Sequence, residues 1–205
     1  MTEADLTAEA IEKLKISQLM ATWGIWRDGG DWDGLRTTYT ADATMVTSWF
    51  DGTAATFIDV SAQMLAETSD RISTQHLIGG SAIEIFGTRA TAETRMSVLI
   101  RLLVHGIESD VTAVGRFHDL LLRTGPYWQI RRRVAVFEKD SVQAVDPAAT
   151  LRLEKSQLVR YPPAYRCCCY VMAANGIKIN PNLPVPNSPS MNALYAQART
   201  WLTGA

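Results

Sequence analysis

The chain of 205 residues carries 20 lysines and arginines against 21 aspartates and glutamates, for a formal net charge of −1. A dedicated nucleic-acid binder usually has a basic excess that neutralises phosphates, so this balance argues against nucleic acid as a partner. Hydrophobic residues make up 47% of the chain, which is enough for a buried core and argues against wholesale disorder.

The first 70 residues favour helices, because apolar residues recur at spacings of three and four. Gly29-Gly30 is a stop signal for the first helix. The predicted elements are helices over 7–27, 31–40 and 57–67, a strand over 43–50 and a turn at Asp51-Gly52.

After residue 70, β-branched and aromatic residues become frequent and turn residues separate the runs. Helices followed by antiparallel strands predict an α+β fold. Strands of about 13 residues span roughly 40 Å at ~3.3 Å per residue, long enough for a sheet to curl around a cavity, with Gly79-Gly80 as a bend. The predicted strands are 74–86, 90–105, 111–123 and 127–139, with turns at 87–88, 108–110 and 125–126.

From Asp146 the composition changes again. Helices are predicted over 148–159, 162–175 and 190–202, and the proline-rich stretch 180–190 is predicted to be irregular. The consecutive Cys167, Cys168 and Cys169 are expected to be small buried or half-buried helix residues, not a disulfide framework or a metal site.

The N-terminal 15 residues are charged, and the longest apolar run, 167–174, has eight residues. We therefore expect neither a signal peptide nor a membrane span, and we expect a cytoplasmic location.

Three segments carry a family resemblance. Residues 26–35 (WRDGGDWDGL) with 39–43 (YTADA), residues 74–80 (TQHLIGG), and residues 115–125 with 128–132 resemble SnoaL-like proteins of the nuclear-transport-factor-2-like superfamily. The strand with Gln-His-x-x-Gly-Gly is most similar to that of scytalone dehydratases. The resemblance covers residues 8–140 and implies a cone of curved antiparallel sheet with N-terminal helices.

The resemblance places Asp28 and His76 where scytalone and bile-acid 7α-dehydratases have a catalytic aspartate–histidine pair. A carboxylate bonded to one imidazole nitrogen fixes the tautomer and raises the basicity of the other nitrogen. Such a histidine can remove a proton beside a carbonyl and return it to a departing hydroxyl, without metal or cofactor. We expect an Asp28–His76 hydrogen bond of roughly 2.6–3.2 Å that opens onto a cavity.

The chain departs from these dehydratases at other positions. Arg27 and Thr47 stand where scytalone dehydratases have a tyrosine pair, and Trp23 stands where bile-acid dehydratases have a tyrosine. The second histidine of scytalone dehydratases corresponds to Arg101 or, with a shift, to His105. These two share a strand face, which is either concave, with Arg101 as an oxyanion or carboxylate partner, or convex.

On the next strand, the resemblance puts the Phe117 and Asp119 face inside and His118 outside. Asp119 is either a second carboxylate of the site or the partner of Arg131 or Arg132 across the hairpin. Aromatic residues could line a pocket for a flat ligand or belong to the core. The candidate substrate-binding residues are Trp23, Arg27, Tyr39, Thr47, Trp49, Arg101, His105, Phe117 and Asp119.

The resemblance therefore implies a cofactor-independent lyase of the dehydratase type, acting on a small cyclic, polyketide- or steroid-like substrate. The alternatives are an isomerase or dehalogenating lyase with the same dyad, or a non-catalytic binding or scaffold subunit resembling the small subunits of ring-hydroxylating dioxygenases. The family also implies a homo-oligomer, with a trimer expected. Residues 1–145 are expected to form the cone domain, and 146–205 a helical extension over its mouth or against a neighbouring subunit.

Overall fold

The computed structural model describes residues 2–204, so the outer limits of the two expected domains, residues 1 and 205, lie outside the described residues. Within that range the helices are α1 (Glu3–Gly29), α2 (Trp32–Thr37), α3 (Ala54–Thr68), α4 (Lys155–Leu158), α5 (Arg166–Ala174) and α6 (Pro189–Thr203). The strands are β1 (Tyr39–Thr47), β2 (Phe50–Thr53), β3 (Ser73–Phe86), β4 (Arg89–Val104), β5 (Ile107–Thr124) and β6 (Tyr127–Ala144).

The strands form one sheet in the order β2-β1-β6-β5-β4-β3. All neighbours are antiparallel except β1 and β6, which run parallel. A register shift between Ile78 and Ser81 falls at Gly79-Gly80, where a bend was predicted. Side chains from five of the strands line a single cavity, so the sheet curves around it. The predicted α+β class is confirmed.

Two predicted turns are wrong. The first hairpin turns at Ser48 and Trp49, because Asp51 and Gly52 pair with β1. The β4–β5 hairpin turns at His105 and Gly106, where φ is 51° and 78°. Gly106 takes the left-handed conformation that the turn needs, and the polar residues 108–110 continue the strand.

The predicted helix over 148–159 is also wrong, since only the single turn of α4 forms there. Leu151 and Leu153 are half-buried against the core while Arg152 and Glu154 are exposed. This alternation of burial is typical of an extended segment and not of a helix.

The C-terminal segment packs on its own chain at two places. Helix α5 contacts β5 and β6 at the cavity, and α6 covers the outer face of the sheet, with Met191 and Leu194 against Val134 and Val136. Trp201 anchors the far end of α6 by donating from Nε1 to the Ala90 carbonyl at 3.1 Å. Among residues 2–204, no helix is long and apolar enough to cross a membrane.

Asp140 of β6 caps the start of α5. The N-cap residue Tyr165 makes no side-chain cap, and Asp140 Oδ2 instead accepts from the Cys168 backbone N–H at 2.7 Å. Burial raises the pKa of Asp140, and the N–H groups of Cys168 and Cys167 oppose that rise.

We expect D140A to lower the free energy of unfolding by about 1 kcal/mol, as loss of a cap does. Because the cap holds α5, amide hydrogen exchange across 166–174 should accelerate, while D140N, which still accepts, should change it little. D146A removes an exposed turn contact to Ala148 and is the matched control. Equal exchange in D140A and wild type would contradict this role of Asp140.

Candidate active site

Asp28 and His76 meet where the end of α1 packs against the first part of β3. Asp28 Oδ1 lies 2.7 Å from His76 Nδ1, and Asp28 Oδ2 accepts the backbone N–H of His76. Gly24, one turn earlier, allows this close approach, because a Cβ there would lie 2.7 Å from Ile78 Cγ1. The two side chains are 17% and 10% exposed, so the pair is largely shielded from solvent.

The contacts of Asp28 determine the tautomer of His76. A carboxylate only accepts hydrogen bonds, so Nδ1 carries the proton that is donated to Oδ1. In the neutral ring, Nε2 is then a free base, and it has no hydrogen-bond partner within residues 2–204. Because His76 lies on the cavity wall, this nitrogen is available to a bound molecule.

The cavity next to His76 has a volume of about 110 Å³. An apolar cavity of about 150 Å³ binds benzene, so this smaller volume limits an enclosed ligand to at most a single ring. Aromatic side chains form part of the wall, and the ring centroids of Trp49 and Phe57 are 5.4 Å apart. The candidate residues that line the cavity are Trp23, Arg27, Asp28, Thr47, Trp49, His76 and Phe117.

Arg27 is the neighbour of Asp28 in the sequence and is also on the cavity wall. Its side chain is 12% exposed, and its Nη1 lies 3.6 Å from Asp28 Oδ1, beyond hydrogen-bond distance. Burial lowers the pKa of Arg27 while the charge of Asp28 raises it. The guanidinium keeps its charge, because arginine side chains are not deprotonated in proteins.

Tyr39 and Asp119 were candidate substrate-binding residues, but the structure places both behind the cavity wall. The Tyr39 hydroxyl accepts from Trp23 Nε1 at 2.8 Å, and burial raises its pKa to about 12. Asp119 is fully buried and pairs with Arg133, with Arg133 Nε at 2.7 Å from Oδ1. Both residues support Trp23, whose ring meets the His76 ring edge-on at 5.6 Å.

The ion pair of Asp119 with Arg133 corrects the expected partners, Arg131 and Arg132. Between Leu120 and Leu121 the register with β6 shifts, and Arg131 becomes the extra residue. If the pairing at the turn continued without this bulge, Asp119 would lie opposite Arg132. The bulge shifts β6 by one residue, so Asp119 lies opposite Arg133. Arg131 instead binds Asp42, and Arg132 binds Gln197 of α6.

Arg101 and His105 do not reach the cavity. Arg101 is half exposed and makes two hydrogen bonds to Asp110 on the neighbouring strand, at 2.8 and 2.7 Å. His105 lies in the β4–β5 turn, where Nε2 is 2.8 Å from the Tyr170 hydroxyl. Neither residue takes the place of the second histidine of scytalone dehydratases. The strand face of Arg101 points away from the cavity, and His105 lies in the turn.

Sequence reasoning missed the residues that close the cavity on its far side. Helix α3 contributes Met64, Leu65 and Thr68, and the C-terminal segment contributes Cys168, Val171, Met172 and Ile177. The apolar face of the helix predicted over 162–175 was a signal that this segment is buried, because an apolar helix face outside the cone must pack against another surface. Burial raises the pKa of Cys169 to about 12 and that of Cys168 further, so these thiols stay protonated.

The SnoaL-like domain model matches residues 8–134, which is more than half of the chain. The chain belongs to the SnoaL-like family. This SnoaL-like protein is 29% identical over 205 residues to pea pathogenicity protein 2 of Fusarium vanettenii, covering 95% of this chain and 87% of that protein.

Solved structures share its fold. A hexachlorocyclohexane dehydrochlorinase, LinA type 2, superposes with a TM-score of 0.56 at 16% identity, covering 73% of this chain and 99% of that one. A candidate scytalone dehydratase of Novosphingobium aromaticivorans gives 0.54 at 17% identity, covering 72% and 99%. At these identities the likeness establishes the NTF2-like cone and not the reaction.

The environment of His76 predicts the sign of the pH dependence of this SnoaL-like protein. Burial lowers the pKa of His76 below its ordinary 6.5, the hydrogen bond that His76 donates to Asp28 raises it, and the charge of Arg27 lowers it. A neutral His76 acting as a base would give a kcat/KM that is flat near neutrality and falls about tenfold per pH unit below this pKa.

The substitution R27M should move this acid limb to higher pH, because it removes the charge that lowers the pKa of His76. Because an unfolded histidine binds a proton more readily, the same shift should make the fold less stable as the pH falls below 6.5. A pH–rate profile without an acid limb would contradict a histidine base.

Proposed function

We propose that the protein is a cofactor-independent lyase of the dehydratase type, in which His76 is the base and Asp28 orients it. The observation that carries this proposal is the 2.7 Å contact of His76 Nδ1 with Asp28, which leaves Nε2 free on a cavity wall. A pair built for sheet stability alone would not need an open cavity beside the second nitrogen.

The reaction follows from the two states of the imidazole. Nε2 removes a proton from a carbon beside a carbonyl, and Asp28 stabilises the imidazolium that forms. The same Nε2–H then protonates the hydroxyl that leaves from the next carbon, so that water departs and the base is regenerated. With a halide as leaving group, or with return of the proton to another carbon, the same dyad would support dehalogenation or isomerisation.

The cavity supports a small, flat and largely apolar substrate. Most of its lining residues are apolar, its charged side chains lie at the dyad, and Trp49, Phe57 and Phe117 can pack against a ring. The volume of about 110 Å³ favours a single ring over the steroid-like end of the expected range.

We further propose that residues 1–145 form the catalytic cone and that 146–205 complete its cavity. Helix α5 encloses the cavity without filling it, and this arrangement favours an enzyme over a scaffold subunit.

The test is conversion of single-ring β-hydroxyketones to enones, followed by the new ultraviolet absorbance. Wild type should form enone and H76A should not, with binding measured separately by quenching of tryptophan fluorescence. If the compounds bind wild type and yet no enone forms above the H76A rate, the dehydratase assignment fails.

A further inference from the structure

The guanidinium of Arg27 faces the cavity with unfilled hydrogen-bond donors. Within residues 2–204, none of its N–H groups has an acceptor at hydrogen-bond distance, and Asp28 at 3.6 Å already holds His76 with both oxygens. Arg27 is also the only lysine or arginine among the residues that line the cavity. The side chain keeps 12% exposure on the cavity wall, so these donors can reach an oxygen of a bound molecule.

The charges around His76 indicate whether the oxygen that Arg27 binds belongs to a neutral or to a charged substrate. At rest, Arg27 and Asp28 balance each other and His76 is neutral. A neutral substrate keeps the balance, and proton transfer then creates one positive charge at His76 and one negative charge on the substrate.

Each of these new charges has an opposite charge already in place. Asp28 lies against the imidazolium, and Arg27 lies on the same cavity wall with free donors. Donors fixed in advance where a charge develops stabilise the transition state more than the ground state.

Resting on the proposed function, we propose that Arg27 is a catalytic residue that stabilises the developing enolate oxygen. The substrate class is a neutral cyclic ketone with a hydrogen on the carbon next to the carbonyl and a hydroxyl one carbon further. The planar guanidinium thus does the work that hydroxyl groups do in dehydratases with a tyrosine pair.

The electron balance needs no further reactant. The C–H electron pair forms a C=C bond as the proton moves to His76 Nε2, and the carbonyl π pair moves onto oxygen beside Arg27. The oxygen pair then re-forms the carbonyl, the C=C pair shifts to the next bond and the hydroxyl leaves with the proton of His76. The products are the enone and water.

Substituted phenols test this inference without knowledge of the natural substrate, because a phenolate presents an oxyanion on a flat ring. We would measure the Kd values of phenols with pKa values on either side of the assay pH, using quenching of tryptophan fluorescence. Wild type should bind the ionised phenols more tightly than the neutral ones. R27M should weaken binding of ionised phenols about 10- to 100-fold and leave neutral phenols nearly unchanged.

R27K, which keeps the charge and loses the planar fork, should fall between wild type and R27M, and circular dichroism checks that each variant is folded. In the enone assay, R27M should lower kcat about 10²- to 10³-fold with little change in KM. Equal affinity of wild type for both forms of phenol, or unchanged phenolate binding in R27M, would overturn the role of Arg27.

The same measurements in H76A separate this inference from the dyad. A phenolate preference that persists in H76A and disappears in R27M supports the anion site even if wild type forms no enone from the test ketones. Enone formation that depends on His76 but not on Arg27 would leave the dyad intact and overturn the inference.

Discussion

Replacing His76 by alanine is expected to reduce turnover about 10²- to 10⁴-fold, the range that a positioned general base contributes. The fold should survive, because the backbone N–H of His76 still donates to Asp28 Oδ2 and the strand keeps its pairing with β4. Steady-state rates and thermal melting of both proteins measure the two effects. Loss of activity that matches loss of folded protein would contradict a catalytic role.

D28N is the sharper companion variant, because it preserves shape while changing the proton position. The asparagine oxygen can still accept the backbone N–H of His76, which turns its NH₂ group toward Nδ1. Nδ1 must then accept, so the proton moves to Nε2 and the base is lost. We expect a loss of roughly 10²- to 10⁴-fold in kcat with near-native stability. Full activity in D28N would show that Asp28 does not set the tautomer.

The largest effect on stability is expected at Asp119. Its side chain and that of Arg133 are both fully buried, and the Arg133 guanidinium lies 4.4 Å from the Trp23 ring and 4.3 Å from the Phe117 ring. D119A leaves a buried cation without its carboxylate. Breaking such a pair costs about 3–5 kcal/mol in the free energy of unfolding, measured by urea denaturation.

Two controls show whether this loss comes from the unpaired charge. The double substitution D119L with R133M removes both charges and should recover most of the loss. D42A breaks the ion pair between Asp42 of β1 and Arg131 of β6. Because Asp42 is mostly exposed, this change should lower the free energy of unfolding by under about 1 kcal/mol. A D119A protein as stable as D42A would contradict the importance of the buried pair.

The fold could be read from the sequence because its signals are local. Apolar spacing indicated α1 and α3, β-branched runs indicated the long strands, and Gly79-Gly80 marked a bend that the structure contains. The pairing of Asp28 with His76, 48 residues apart, was accessible only through the family resemblance.

The remaining features depend on contacts that no short segment specifies. The bulge at Arg131 decides that Asp119 meets Arg133, and a sequence pattern does not reveal a single inserted residue. Residues 151–154 are extended because Leu151 and Leu153 pack against the core while the residues after each of them are exposed. An extension over the cone mouth was one of two expectations, but its cavity-lining residues were not identified, since α5 takes its position from Asp140 on a distant strand.

The central claim, that His76 held by Asp28 removes a proton inside the cavity, is tested most directly by hydrogen exchange. A single-ring ketone without a leaving group would be incubated in D₂O, and deuterium gain on the carbon next to the carbonyl would be followed by NMR. Wild type should exchange about 10²- to 10⁴-fold faster than H76A and D28N. Equal exchange in all three proteins, for a ketone shown to bind each of them, would contradict the account.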